Sequence, residues 1–162
     1  MIVEPGLAAR LAFLVRVSRR ESDYLRQTDG RLFCPVLSLE QVSQLAAQPD
    51  LSERVEAFVG RFGRLQDTLG DKLLPALLAL AGERPGAAID NLDRAERLGW
   101  ITSVDDWMSI RLLRNRMIHE YIEDPVVLAD ALNTGHLQVA VLLAACDRMV
   151  GEADRRLEKP VR

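Results

Sequence analysis

Apolar residues recur along this chain at intervals of three and four, and alternation at every second position never persists, so the pattern predicts helices and no sheet. The first helix is predicted over about Pro5 to Arg26, with Leu7, Leu11, Leu14, Val15 and Tyr24 broadly on one side, and "QTDGRLFCP" breaks it. Ser38 followed by Gln41 forms a capping-box pattern that starts a short helix. A longer helix is predicted from about Asp50 through "LSERVEAFVGRFGRLQDTLGDKLLPALLAL", despite Gly60, Gly63, Gly70 and Pro75. Each glycine costs roughly 1 kcal/mol against alanine in a helix. Close approach of another helix is the expected return, and Pro75 should kink or divide the segment. "GERPG" ends it, and "AAIDNLDRAERL" makes a short helix closed by Gly99. Ser103 with Asp106 caps a helix running to about Glu123. Asp124 and Pro125 then open a last helix that passes Val150, with a bend expected near Gly135. The expected fold is all-α, an up-and-down bundle of about five helices forming one domain over residues 1–162.

Composition fits that picture. The chain has 162 residues, enough for one domain with its own core, and is 48% hydrophobic and 28% charged, as globular proteins are. Its net charge of −3 excludes attraction of nucleic acid by the molecule as a whole, so any such contact must be local. Without a leader pattern or an uninterrupted apolar run of about 18 residues, a cytoplasmic location is expected. Cys34 and Cys146 are far apart and form neither a zinc pattern nor a disulfide framework, so both are expected to be reduced, structural thiols. Asp67 and Asp71 are expected on a solvated face, and His136 as a structural residue beside the bend. Neither a phosphate-cradling glycine loop nor a nucleophile elbow occurs.

The chemistry concentrates in "RLLRNRMIHEY", residues 111–121. With about 100° per residue, Trp107, Ile110, Leu113, Met117, Ile118 and Tyr121 form a core stripe. Arg114 falls inside it, while Asn115 and His119 lie together on the adjoining flank. A guanidinium keeps its proton, so Arg114 needs either a carboxylate from another helix, such as one in the 88–97 segment, or a cleft open to water.

Arg114, Asn115, His119 and Tyr121 spell R-N-x-x-x-H-x-Y, and with Trp107 and the "ERLGWI" lead-in this resembles the signature of the HEPN superfamily, in particular its HepT branch. The resemblance covers residues ~92–125 and, more loosely, "RFGRLQDTLGDK". It implies a dimeric, HEPN-like helical toxin held in check by a minimal nucleotidyltransferase partner, and a metal-independent endoribonuclease site shared between two protomers, with no cofactor. Arg114, Asn115 and His119 would be its catalytic residues: His119 as general acid or base, Arg114 neutralising charge on the phosphorane, and Asn115 orienting His119 or the phosphate. Arg111 and Arg116 would bind RNA, and Tyr121 would be the acceptor of AMP groups. On this expectation Arg114 waits in a cleft and its removal spares stability. The alternatives are a non-catalytic partner of such a nucleotidyltransferase, or a helical scaffold in which the motif is coincidence. The 28–55 region is longer than a minimal bundle needs and could cover the cleft.

Overall fold

The structure, a computed structural model, describes residues 5–119 and 124–159, and among these there is no strand. The elements are α1 (Pro5–Leu32), α2 (Leu39–Ser43), a 3-10 turn (Leu45–Ala47), α3 (Pro49–Asp67), a π turn (Thr68–Leu73), α4 (Leu74–Leu80), α5 (Ala88–Arg97), α6 (Val104–His119) and α7 (Pro125–Glu158). The long α1 lies against α3 and α7, α6 packs on α7 and α3, and the short α2 and α5 cover α7 and the α4–α6 end.

Most helix boundaries follow local chemistry. The Ser38 hydroxyl accepts from the Gln41 N–H while the Gln41 side chain accepts from the Ser38 N–H, a complete capping box. Asp124 accepts from the Val126 and Val127 N–H groups at the start of α7, with Pro125 in the first turn. Gly99 has φ +78°, and the Trp100 N–H returns to the Ala95 carbonyl at 2.8 Å, which closes α5 as a Schellman turn. The α6 helix is fixed at both sides of its first turn: Glu96 accepts from the Val104 N–H at 2.7 Å, and Ser103 Oγ from the Asp106 N–H.

Two expectations are corrected. The first helix does not stop at Arg26, because Thr28 and Leu32 continue the buried stripe of Leu11, Leu14, Val15, Ser18, Ser22 and Leu25, while Gly30 faces open space. Tyr24 is outside that stripe; Leu25 takes the inward position. Pro75 does divide the segment, as expected: α3 gives way to the π turn and α4 starts with Pro75 in its first turn, although residues 49–80 stay helical. It has no N–H for the carbonyl one turn back, and the chain widens into the π turn immediately before it.

The 28–55 region packs at the start of α7. Asn133 of α7 accepts from the Leu37 N–H and donates to the Leu37 carbonyl, at 3.1 and 2.9 Å, and Val42 and Leu45 share a pocket with Asp124, Pro125 and Leu128. His136 belongs to the same seam: its Nδ1 lies 2.7 Å from Asp29 Oδ1, and its ring stacks on Phe33. Gly135 beside it lets the Phe58 ring and Met117 Sδ press close to the α7 backbone; a Cβ there would sit 3.3 Å from Phe58. By length and composition α7 is apolar enough to cross a membrane, with an 18-residue window of mean hydropathy 1.5. Leu132, Val139, Leu142, Cys146 and Met149 nevertheless line the bundle interior.

Candidate functional site

Two glycines determine where the motif lies. A Cβ on Gly70 would meet the Trp107 ring at 3.3 Å, and a Cβ on Gly63 would meet Arg114 Cγ at 3.2 Å. Both pairs are spaced by seven residues, two helical turns, and they run in opposite directions. The α3/π-turn path and α6 are therefore antiparallel neighbours whose side chains seat on bare backbone. The expected close approach holds at Gly63 and Gly70. Gly60, one turn further along the seam, meets nothing within 4 Å among the described residues; there Glu56, Val59, Met117 and Ile118 line an open, mostly apolar groove of about 230 Å³.

Arg114 finds its carboxylate on α3. Its Nη2 donates to Asp67 Oδ2 at 2.8 Å and its Nη1 to Asn115 Oδ1 at 3.1 Å, while Nε is buried with no hydrogen-bond partner among the described residues. The partner thus comes from Asp67, outside the 88–97 segment, and Asp67 is ion-paired where a purely solvated face was expected. Sequence reasoning missed it, although a signal existed. Gly63 and Asp67 are one turn apart, and the Gly63 to Gly70 spacing matches Trp107 to Arg114.

The stripe expected of α6 is buried at Trp107, Ile110, Leu113 and Met117, together with Val104. Ile118, expected in the core, is 41% exposed at the edge of the groove. Asn115 is half-buried and His119 exposed. On the helical wheel Met108, Leu112, Asn115 and His119 fall within about 60° of one another. That flank carries Leu112, which is 63% exposed. Of the two arginines expected to bind RNA, Arg111 is half-buried on α6, and Arg116 lies 4.0 Å from Asp130 of α7. Tyr121 lies outside the described residues. No group of three or more potential metal ligands occurs among the described residues.

Two ionisable groups shifted by burial lie away from this helix, the half-buried Glu21 and the buried Cys146. Glu21 on α1 has its carboxyl pushed up by burial, an effect opposed by a hydrogen bond with Thr68 and by the charges of Arg64 and Lys72. Burial raises the Cys146 thiol to about 11, and its Sγ donates to the Ser18 carbonyl. Cys34 is exposed, so of the two thiols only Cys146 occupies the core.

No protein-family model, no curated protein and no solved structure matches the chain.

Proposed function

We propose that this chain is a HepT-like HEPN protein, a metal-independent endoribonuclease toxin whose site forms between two copies and whose activity is restrained by a minimal nucleotidyltransferase. The observation that carries the reading is the flank of α6, where Asn115 and His119 share a face with the uncovered Leu112. A two-fold partner seated on Leu112 would bury an apolar side chain, worth ~1.5–3 kcal/mol when complete. It would also bring a second His119 towards the first.

The residues suit the chemistry. The ribose 2′-OH attacks its own 3′-phosphate: the O2′–P bond forms, the P–O5′ bond breaks, and a 2′,3′-cyclic phosphate remains. One His119 takes the 2′-OH proton and the other gives a proton to the departing 5′-oxygen, a role open to imidazole near neutral pH. Asp67 and Asn115 fix the Arg114 guanidinium in place and use one N–H of each terminal nitrogen, which leaves a second N–H on each for phosphoryl oxygens. Arg111 and Arg116 extend positive charge along the helix. Tyr121 would accept AMP from the nucleotidyltransferase.

The engagement of Arg114 with Asp67 also favours a second reading, in which the chain docks on a nucleotidyltransferase without cutting RNA. The separating experiment incubates purified protein with an RNA pool in chelator and identifies the product ends. Cleavage leaving 2′,3′-cyclic phosphate and 5′-hydroxyl ends by a dimeric protein is the expected result. Intact RNA, or a protein that is strictly monomeric at the assay concentration, would favour the docking module.

A further inference from the structure

The structure describes seven aromatic residues of the phenylalanine, tyrosine and tryptophan types, and Phe33, Phe58, Phe62, Trp100 and Trp107 are buried. The two that are exposed, Phe13 at 54% and Tyr24 at 45%, both lie on α1. At about 100° per residue, Phe13, Arg16, Arg20, Tyr24 and Arg31 fall within an arc of about 80°, opposite the buried stripe. Arg16 lies 6.0 Å from the Phe13 ring centre, and Arg61 of α3 covers Tyr24 at 5.1 Å. Arg61 is itself held by the Tyr24 carbonyl and the Thr28 hydroxyl.

This differs from an ordinary solvated face. Arg19 and Arg26 of the same helix are neutralised by Asp154 and Asp23, whereas Arg16, Arg20 and Arg31 have no carboxylate within salt-bridge distance among the described residues. In a chain of net charge −3 they concentrate positive charge on one ridge, which calls for a polyanion. The two aromatics narrow the choice, since a duplex buries its base faces and a single strand offers them for stacking. Arg31 itself lines a cavity with Asp50, Glu53, Arg54 and Arg61, so the positive track ends at Arg31.

We infer that the solvent face of α1 binds single-stranded RNA, with Phe13 and Tyr24 stacking on bases and Arg16, Arg20 and Arg31 contacting the backbone. The choice of RNA among single strands rests on the reading in the preceding section. From Phe13 to Arg31 the helix rises ~27 Å, and at ~3.4 Å per stacked nucleotide the track covers about eight nucleotides or fewer.

The test uses full-length His119→Ala protein, so that the probe is not cut, and fluorescence anisotropy with labelled 12-nucleotide oligo(U) and oligo(A). Melting curves check that each variant is folded. Phe13→Ala and Tyr24→Ala are each expected to weaken binding about 5- to 150-fold, the range for one lost base stack. Three backbone contacts give a log–log salt slope of about −2, and Arg16→Gln with Arg20→Gln should make it shallower by roughly 1.4. Unchanged affinity in the aromatic variants would overturn the inference. So would a 12-base-pair RNA duplex bound more tightly than the single strand, or binding to phosphatidylserine vesicles that the oligonucleotides do not displace. Loss of binding in the Phe13 and Tyr24 variants, with no cleavage by the wild-type protein, would support this surface and remove only the nuclease. Cleavage by the wild type with normal binding by the Phe13 and Tyr24 variants would remove only this surface.

Discussion

Replacing Arg114 by Ala and Asp67 by Asn, singly and together, measures how far the motif arginine serves the fold. The side chains are 29% and 40% exposed, which places the pair between two regimes. Exposed ion pairs contribute ~0–1 kcal/mol, and breaking a buried one costs ~3–5 kcal/mol. Arg114→Ala also removes the aliphatic stem that rests on Gly63 and leaves Asp67 and Asn115 without their donor. Together these give an expected loss of ~1–2 kcal/mol, a fall in melting temperature of about 2–8 °C for a domain of this size. This replaces the expectation from sequence that Arg114 could be removed without loss. Asp67→Asn should cost less, since its amide oxygen can still accept a hydrogen bond. The coupling from the double-mutant cycle in urea denaturation should be ~0.5–1.5 kcal/mol. Arg114→Lys should recover most of the lost stability, and little of any cleavage activity, because an ammonium keeps the charge without the fork. Coupling within ~0.3 kcal/mol of zero would refute the pairing, since that is what independent sites give.

Thiol titration of the native protein at pH 8 should find one fast-reacting cysteine, the exposed Cys34. Cys146, with its thiol raised to about 11, should react only after denaturation, and two fast native thiols would contradict its burial. Glu21 titrates higher in the folded chain than in the unfolded one, so its ionisation opposes folding and stability falls as pH rises from the ordinary glutamate range through the folded value. Glu21→Gln should therefore melt above the wild type at pH 7, with the difference shrinking once the pH is low enough to protonate Glu21 in both states. A difference of equal size at pH 7 and pH 3 would contradict this.

Local signals in the sequence carried the elements that local chemistry sets. Ser38 with Gln41, Gly99, Asp124 and Pro125 all act within a few residues of themselves, and each appears where expected. Periodicity located the inward face of α6 but failed at Ile118, since the wheel treats a helix edge beside an open groove as if it were core. The partners of Arg114 and His136 were not legible, because Asp67 and Asp29 lie 47 and 107 residues away and only packing brings them together. The exposed pair on α1 was missed for a related reason. Tyr24 lies near enough to the apolar stripe to be counted with it, and the position of α3 and its Arg61 shows which side faces solvent.

The most direct measurement of whether R-N-x-x-x-H is a catalytic site compares cleavage rates of wild-type protein and His119→Ala on the same RNA in chelator. His119 is exposed and has no ion pair or hydrogen bond among the described residues, so its removal should leave the melting curve in place. A fall in rate of roughly 10²–10⁴-fold with unchanged stability is expected for a lost general acid–base group. Equal rates for the two proteins would contradict the assignment and leave α6 without a catalytic role.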